Sequence, residues 1–575
     1  NLPELKNLKL DSPMMKAAIH LAGRLDGLPR HLSMHPCAVI LSDKKLLDIA
    51  PTEVNASGYT MVQFDKDDVE AIGLLKLDVL GVRMQSAISY SLQEIERAEG
   101  IKVDIDAIPL DDLSTFDLIK SSRTLGLFQI ESPGQRELVG KFAPRTFTDL
   151  IIDISLFRPG PVKSDMITPF INTRHGFRAK PVIHPTLDEI LQETEGVVVF
   201  HEQVIRIISV MTGVSLAQAD EKRRALGTFE SQQEVCDWFY PAALAQGYEL
   251  ALVKQVWEIL RAFASFGFCK AHAAAFALPT YQSAWLKSHH TAAFLAGVLT
   301  HDPGMYPRRV ILDEARQSGI EIAPIDINLS EESYRVEKKE DRYAIRIGLS
   351  DIQGANDKEI DSILLHRPYI DLADFVHRSG ASAPTTKALL LIGAFDSLYS
   401  EQKVNRRDLL MHLHDLDKYS RSKPNKHGGG QLALQLIPGT IEVSGLPDLT
   451  PSERIRHEVD LTGMDISHHM MEFYGEFLNN IGAIRSSDVI KQRSGATVLV
   501  AGVKVALQTP PVRSGRRVMF LTLDDGYGCN DITFFEDVQD GHASLLYHSW
   551  LFLVRGVVRK TGPRGISLRA LEAWE

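Results

Sequence analysis

Apolar positions recur at helical spacing over Met14, Met15, Ala18, Ile19 and Leu21, and Gly27-Leu28-Pro29 ends that run. The apolar stretches Ala38-Val39-Ile40-Leu41 and Gly73-Leu74-Leu75-Lys76-Leu77-Asp78-Val79-Leu80 predict buried strands, and the helical period returns from Gln85 to about Arg97. From about 110 to 330 the pattern is mostly helical, broken by turn signals at Arg158-Pro159-Gly160-Pro161, Phe266-Gly267-Phe268 and Asp302-Pro303-Gly304. Ser215-Leu216-Ala217-Gln218 has the form of a capping box and predicts a helix carrying Lys222, Arg223 and Arg224. Ala271 to Leu299 is apolar enough for one long helix, or for two broken at Pro279.

Beyond this helical region the period changes. Tyr334–Val336 and Tyr343–Ile347 read as strands and lead into two similar turn-and-helix passages ending near Leu398. Tyr419–Gly430 is basic and glycine-rich, the composition of a flexible linker, and a mixed stretch follows to about Val489. Five alternating segments close the chain: Thr497–Leu507, Val518–Leu523, Asp531–Phe535, Trp550–Arg559 and Ile566–Ala573. Five strands in a short module predict a small closed barrel of the OB type.

At 575 residues the chain is too long for one core, and a 44% hydrophobic share excludes global disorder. No run approaches the roughly 20 apolar residues of a membrane span. The four cysteines (Cys37, Cys236, Cys269, Cys529) are scattered, which excludes a disulfide framework and suits a reducing cytosol. Against a net charge of −11, residues 491–575 hold eleven Lys and Arg to eight Asp and Glu. That local excess, on Arg513, Arg516, Arg517, Arg555, Arg559, Lys560 and Arg564, suits a single-stranded nucleic acid; a solvated barrel surface is the alternative.

Asp78 is the first candidate for chemistry. A carboxylate in an apolar strand is costly unless compensated, either by a divalent cation or by an internal salt bridge. Lys76 shares its face by the period of two, and Arg83 follows within a turn. Further on, Arg158 stands on a rigid turn, Lys222, Arg223 and Arg224 share a helix, and Lys270 and His272 lie at a helix start, where the dipole favours anions. Aimed at one point these cations would hold a triphosphate; unaimed, they are surface charges. Two passages resemble helix-hairpin-helix elements that present backbone N–H groups to phosphate: Ile352-Gln353-Gly354-Ala355-Asn356, and Leu391-Ile392-Gly393-Ala394-Phe395-Asp396. Asn356 stands where the first hairpin should have a second glycine, and Asn tolerates the left-handed conformation. Gln431-Leu432-Ala433-Leu434-Gln435-Leu436 follows the glycine linker and suits docking into a partner's apolar groove, or else forms an edge strand or helix start.

In series these residues resemble the bacterial C-family DNA polymerases, the DNA polymerase III alpha subunit and its relatives. The likeness runs through Lys76-Leu77-Asp78-Val79-Leu80-Gly81, Gly126-Leu127-Phe128-Gln129-Ile130-Glu131-Ser132, Phe157-Arg158-Pro159-Gly160-Pro161 and Glu202-Gln203-Val204. It continues in Arg223-Arg224-Ala225-Leu226-Gly227, Gly267-Phe268-Cys269-Lys270-Ala271-His272 and Gly393-Ala394-Phe395-Asp396. Phe263–Phe276, with Cys269 and Ala271, and His301-Asp302-Pro303-Gly304-Met305-Tyr306-Pro307 are most similar to the error-prone, damage-inducible ImuC-type branch. Thr228 and Phe229 stand where the replicative branch tends to carry lysines.

The resemblance implies a multidomain α+β fold. Its parts would be the end of a thumb-like helical region (1–33), a partial palm (34–83), mostly helical fingers (84–335) and tandem helix-hairpin-helix elements (336–400). A linker and clamp-binding region (401–490) and a C-terminal OB-type β-barrel (491–575) would follow. It implies template-directed transfer of nucleotides from dNTPs to a primer 3′-hydroxyl by two Mg2+ ions, with Asp78 as catalytic metal ligand. Lys76, Arg83, Arg158, Arg223, Arg224, Lys270 and His272 would bind nucleotide phosphates. Gly354, Asn356, Gly393, Arg516, Arg517, Arg559 and Lys560 would bind primer-template DNA. Gln431, Leu432, Leu434 and Leu436 would bind a sliding clamp, and accessory mutasome proteins are further implied partners, with no membrane and a bacterial cytoplasmic location. The family's palm has two more carboxylates in an Asp-x-Asp motif upstream of the segment matching Asn1. Asp104-Ile105-Asp106 has the spacing but follows Asp78, so the chain reads as the C-terminal part of a longer polymerase, inactive alone. The competing expectations are a replicative alpha subunit and a non-catalytic DNA-binding scaffold that recruits a clamp.

Overall fold

The computed structural model describes residues 12–28, 33–43, 45–55, 57–157, 167–227, 229–263, 268–340, 342–421, 441, 443–509, 517–560 and 566–575. The chain divides into two compact units, Asn1–Arg83 and Met84–Glu575, each with its own core.

In the first unit Pro13–Leu25 forms the expected helix. Ser12 caps it by accepting from the Met15 N–H at 3.2 Å, and Gly27, at φ +79°, stands just past its end. Four short strands follow: Ala38–Leu41 (β1), Thr52–Val54 (β2), Thr60–Val62 (β3) and Leu75–Asp78 (β4). They pair antiparallel as two ribbons, β1 with β4 and β2 with β3, and Ala38 lies opposite Asp78. The core is small, Ala50, Val69 and Leu74 with Ile40, Val62 and Phe64 against it. The expectation of a buried strand around Asp78 is corrected here. Leu75, Leu77 and Asp78 are exposed, on both faces of a ribbon of only two strands that no further layer covers among the described residues of this unit.

The second unit begins with a helical body. Glu94, on the helix Arg83–Glu99, is buried and accepts from Arg97, from Arg335 and from the Val336 N–H at 2.7, 2.6 and 2.8 Å. Burial opposes its charge, yet these donors hold the carboxyl below its usual range. The capping box at Ser215 forms as expected: its hydroxyl accepts from the Gln218 N–H at 3.4 Å, its own N–H donates back at 3.1 Å, and the helix Leu216–Ala225 follows. Val204, Ile208, Phe239, Val253 and Trp257 make one of the body's apolar cores.

The apolar stretch from Ala271 is two helices, Lys270–His289 and Thr291–His301, but the break falls at His290 and not at Pro279. Pro279 forfeits one backbone hydrogen bond. It is buried along with Thr280, Tyr281, Gln282, Ser283 and Ala284, and this packing outweighs the local penalty.

Glu321–Ala323 (β5), Arg335–Lys339 (β6) and Arg342–Arg346 (β7) form a three-stranded sheet in the order β5-β7-β6, with β5 parallel to β7. The short helices Asp357–Leu365, Leu372–Arg378 and Ala383–Leu391 come next, the last packed on the helix Arg406–Arg421. The chain closes in the expected barrel, built from Thr497–Gln508 (β8), Met519–Asp524 (β9), Cys529–Phe534 (β10), Leu551–Lys560 (β11) and Ile566–Trp574 (β12). Its order is β10-β12-β11-β8-β9, and β10 also pairs with β9. On β11 Phe552, Val554 and Val558 point inward while Arg555, Arg559 and Lys560 are exposed. A helix that the alternation did not reveal, Glu536–His548, packs Ala543 and Leu546 into the barrel core. Among the described residues no helix is long and apolar enough to cross a membrane.

Candidate active site and nucleic-acid interface

Asp78 ends β4, and its Oδ1 accepts from the Lys76 ammonium at 2.6 Å, both side chains on one face as the period of two requires. That hydrogen bond is the main reason its carboxyl lies below the usual range. The salt bridge left open by the sequence is therefore present. Donor atoms of His35 and Cys37 lie with that of Asp78 inside 4.8 Å, and the Cys37 N–H donates to His35 Nδ1 at 3.2 Å. An imidazole, a thiol and one carboxylate that already holds an ammonium do not fit a two-ion magnesium site, which takes oxygen ligands. Arg83 is the first residue of the helix Arg83–Glu99. Asp104 and Asp106 form an exposed turn, with the Asp106 N–H on Asp104 Oδ1 at 3.1 Å, and not a strand pair.

In the second unit Arg223 and Arg224 share one partner, Asp220, each at 2.8 Å. These arginines, Arg223 first, hold the Asp220 carboxyl below its usual range. Lys222 lies over the Trp238 ring at 4.9 Å. Lys270 opens its helix as expected, but its N–H donates to both Glu202 oxygens at 3.0 Å, so a protein carboxylate takes the place at the helix N-terminus where a phosphate was expected. Its ammonium pairs with Glu193 at 2.5 Å and lies over Phe200 at 5.5 Å. His272 sits between Phe268 and Phe276, with ring centroids at 5.3 and 4.4 Å. Lys270 and the pair Arg223 and Arg224 thus engage different carboxylates, Glu193 and Glu202 against Asp220, and Arg158 lies outside the described residues.

The two hairpin glycines differ. Gly354 is exposed at φ +88°, and an added Cβ would meet open space. Gly393 has the same φ, but it is buried, its N–H is spent on the Leu390 carbonyl at 3.1 Å, and an added Cβ would lie 2.0 Å from the Arg406 guanidinium. Arg406 is fixed there by Asp396 at 2.6 Å. Asn356 does not take up the left-handed conformation. It is extended at φ −107° and caps the helix Asp357–Leu365 by accepting from the Glu359 N–H at 3.1 Å. On the barrel, Arg559 and Lys560 are exposed at the end of β11, and Arg517 donates to the Tyr547 hydroxyl at 2.8 Å. Arg516, Gln431, Leu432, Leu434 and Leu436 lie outside the described residues.

Three family models match successive parts of the chain. The bacterial DNA polymerase III alpha NTPase domain covers residues 1–81, the alpha subunit finger domain 84–246, and a helix-hairpin-helix motif 319–409. A protein of Symbiobacterium thermophilum named error-prone DNA polymerase is 34% identical over 588 residues, which cover 95% of this chain and 53% of that one. Along most of its length the chain is similar to the bacterial DNA polymerase III alpha subunit family. A Pseudomonas aeruginosa error-prone DNA polymerase is 31% identical over 96% of this chain and 53% of its own length. A DNA polymerase III subunit alpha of Pasteurella multocida is 31% identical over 97% of this chain and 50% of its own. The chain thus spans about half the length of the curated relatives it matches.

Within this chain several groups escaped sequence reasoning. Glu131 accepts from the Met305 and Gly126 N–H groups at 2.6 and 3.2 Å beside a cleft of about 390 Å3, and burial pushes its carboxyl up. Phe128, Gln135, Phe157 and Pro303 also line that cleft. The only signal in the sequence was a lone acid inside the apolar motif Leu127–Ser132. Lys287 and Glu314 form a fully buried ion pair at 2.9 Å, 27 positions apart in the chain and with no local pattern to announce it.

Proposed function

We propose that this chain is the nucleotide-selecting and DNA-gripping part of a polymerase that copies a DNA template by transferring nucleotides from dNTPs to a primer 3′-hydroxyl. The observation that carries the reading is the order of the matches: NTPase, finger and helix-hairpin-helix in series, on a chain whose relatives are DNA polymerases by name. Error-prone synthesis on damaged templates is supported by the Symbiobacterium and Pseudomonas relatives and by Cys269, Ala271, Thr228 and Phe229. The Pasteurella relative, as similar as the Pseudomonas one, supports the replicative reading.

Lys270, Arg223 and Arg224 are proposed to contact the incoming triphosphate, which must then displace Glu193, Glu202 or Asp220. His272, tilted between Phe268 and Phe276, would support the start of the helix that carries Lys270. Gly354 and the exposed Arg559 and Lys560 are the better-placed DNA contacts; Gly393 serves the hairpin from inside. Divalent metal use goes with the family. Asp78, once released from Lys76, is proposed to supply one oxygen ligand of a Mg2+ site whose other oxygen ligands its present neighbours His35 and Cys37 do not provide, with Lys76 and Arg83 left to face phosphate, and Gln431–Leu436 to bind a sliding clamp.

One carboxylate places no pair of ions, so the 575-residue chain with primer-template, dNTPs and Mg2+ is expected to give no extension. Fused to the complementary half of the Symbiobacterium relative it is expected to extend primers. In that fusion Asp78→Asn should abolish extension and leave primer-template binding unchanged. Extension by the Asn variant would reduce Asp78 to its salt bridge, and DNA binding without extension by the parent fusion would favour the scaffold. Bypass of an abasic template site separates the error-prone from the replicative branch. Gln431→Ala with Leu434→Ala, read by clamp association, tests the peptide.

A further inference from the structure

The barrel is joined to the helical body by a buried polar knot. The helix Arg308–Gln317 contributes Asp313, the turn after Pro451–Thr462 contributes Asp465 and His469, and the end of β9 contributes Asp524; all four side chains are at most 3% exposed. His469 Nε2 lies 3.5 Å from Asp313 Oδ2, 3.6 Å from Asp524 Oδ2 and 3.9 Å from Asp465 Oδ2. Asp313 Oδ2, Asp524 Oδ2 and His469 Nε2 are buried and make no hydrogen bond among the described residues. The other oxygens of the pair are engaged, Asp313 Oδ1 by Arg316 and Asp524 Oδ1 by the Gly526 N–H at 3.0 Å. The ring is locked in place: a Cβ on Gly526, at φ +82°, would come within 2.8 Å of His469 Cγ.

These separations are too long for N–H···O bonds, which run about 2.7–3.2 Å. They match the edges of a coordination tetrahedron, about 3.3–3.6 Å for metal bonds of 2.0–2.2 Å. A proton on Nε2 can point at only one of the two orphaned carboxylate oxygens, whereas an ion bonds both and the imidazole. We propose that Asp313, His469 and Asp524 form a structural site for a divalent transition ion of the zinc class, clasping barrel strand β9 to the helix Arg308–Gln317. One imidazole with carboxylates selects such an ion over magnesium, and burial marks a closed site without substrate access. Asp465 adds a neighbouring carboxylate, whose Oδ1 also makes no hydrogen bond. Binding at Nε2 places the ring proton on Nδ1 and gives up one 3.2 Å contact from the Met471 N–H. The clasp is independent of the polymerase reading and of the His35–Cys37–Asp78 cluster.

The test uses the whole chain, stripped with a chelator and titrated with Co2+ and then Zn2+. One Co2+ per chain, giving a visible absorption band that Zn2+ displaces, is expected. His469→Gln and Asp524→Asn should each weaken uptake by more than about 100-fold, beyond what losing an outer contact does, while Cys37→Ala leaves it unchanged. Zinc X-ray absorption on the unmutated chain needs no variant: a nitrogen and oxygen shell with one imidazole supports the clasp. A sulfur neighbour, no stoichiometric uptake, or uptake unchanged in both knot variants overturns it.

Discussion

Replacing Lys287 by methionine tests whether the helical body depends on a charge that nothing in the sequence marked. The Lys287 side chain is 2% exposed; its ammonium lies 2.9 Å from Glu314 Oε1 and donates to the carbonyls of Arg123 and Leu125 at 2.9 and 2.8 Å. In Lys287→Met the methionine fills much the same volume, but Glu314 keeps only Arg123, at 3.7 Å, and both carbonyls lose their donor. Breaking a buried pair costs about 3–5 kcal/mol, and orphaned carbonyls about 1–3 kcal/mol each, costs that overlap here. A loss of about 4 kcal/mol is expected, read as faster amide exchange across the helix Lys270–His289, the element that also positions Lys270. Lys287→Met with Glu314→Leu removes both charges and should recover about 1–4 kcal/mol of that loss. Burial also lowers the Lys287 pKa from its ordinary 10.5. Between the folded value and 10.5 the unfolded chain holds a proton that the folded chain lacks, so stability should rise with pH across that window, and the slope should shrink in the methionine variant. A loss below about 1 kcal/mol, or a double variant whose cost is the sum of the singles, would refute the coupling.

Asp153 is fully buried on the helix Phe147–Leu156 with neither oxygen hydrogen-bonded, and burial, then Asp149, raises its pKa well above 3.8 while Arg174 opposes. The folded state therefore keeps a proton that the unfolded chain releases above about pH 4. Stability should fall as pH rises through that window, and Asp153→Asn should be more stable near pH 8, on the order of 1–3 kcal/mol by urea unfolding, with the gain vanishing toward pH 4. Gly393→Ala and Gly354→Ala share a φ of +88° but not their surroundings, so the first should lose several-fold more in melting temperature than the second, whose cost is about 1 kcal/mol of backbone strain. Arg559→Ala with Lys560→Ala should weaken single-strand DNA binding and lower its salt slope by about 1.4, or about 0.7 per lost phosphate contact; an unchanged slope would take the barrel edge out of the interface.

The parts of this fold that were legible in the sequence are those whose signal is local. Alternation placed all five barrel strands, and Ser215 with Gln218 announced its helix, because inward-facing side chains and caps are decided within a few residues. Burial is decided by what lies opposite. The run around Asp78 reads as a core strand, yet among the described residues of its unit no layer covers Leu75 and Leu77, and the sequence leaves Pro279 as a break or a passage where packing carries the helix through it. The same divide runs through the candidate site. Lys270, Arg223 and Arg224 were recognisable as cations suited to phosphate, but Glu193, Glu202 and Asp220, which hold them in this state, were not. That pairing changes what the cations can do. On the proposed reading a triphosphate would not arrive at bare charges; it would exchange with these carboxylates, so its net affinity would be the difference between two sets of ion pairs. Weakening Asp220 alone should then tighten nucleotide binding, the opposite of what a reading of the arginines without their partner would predict.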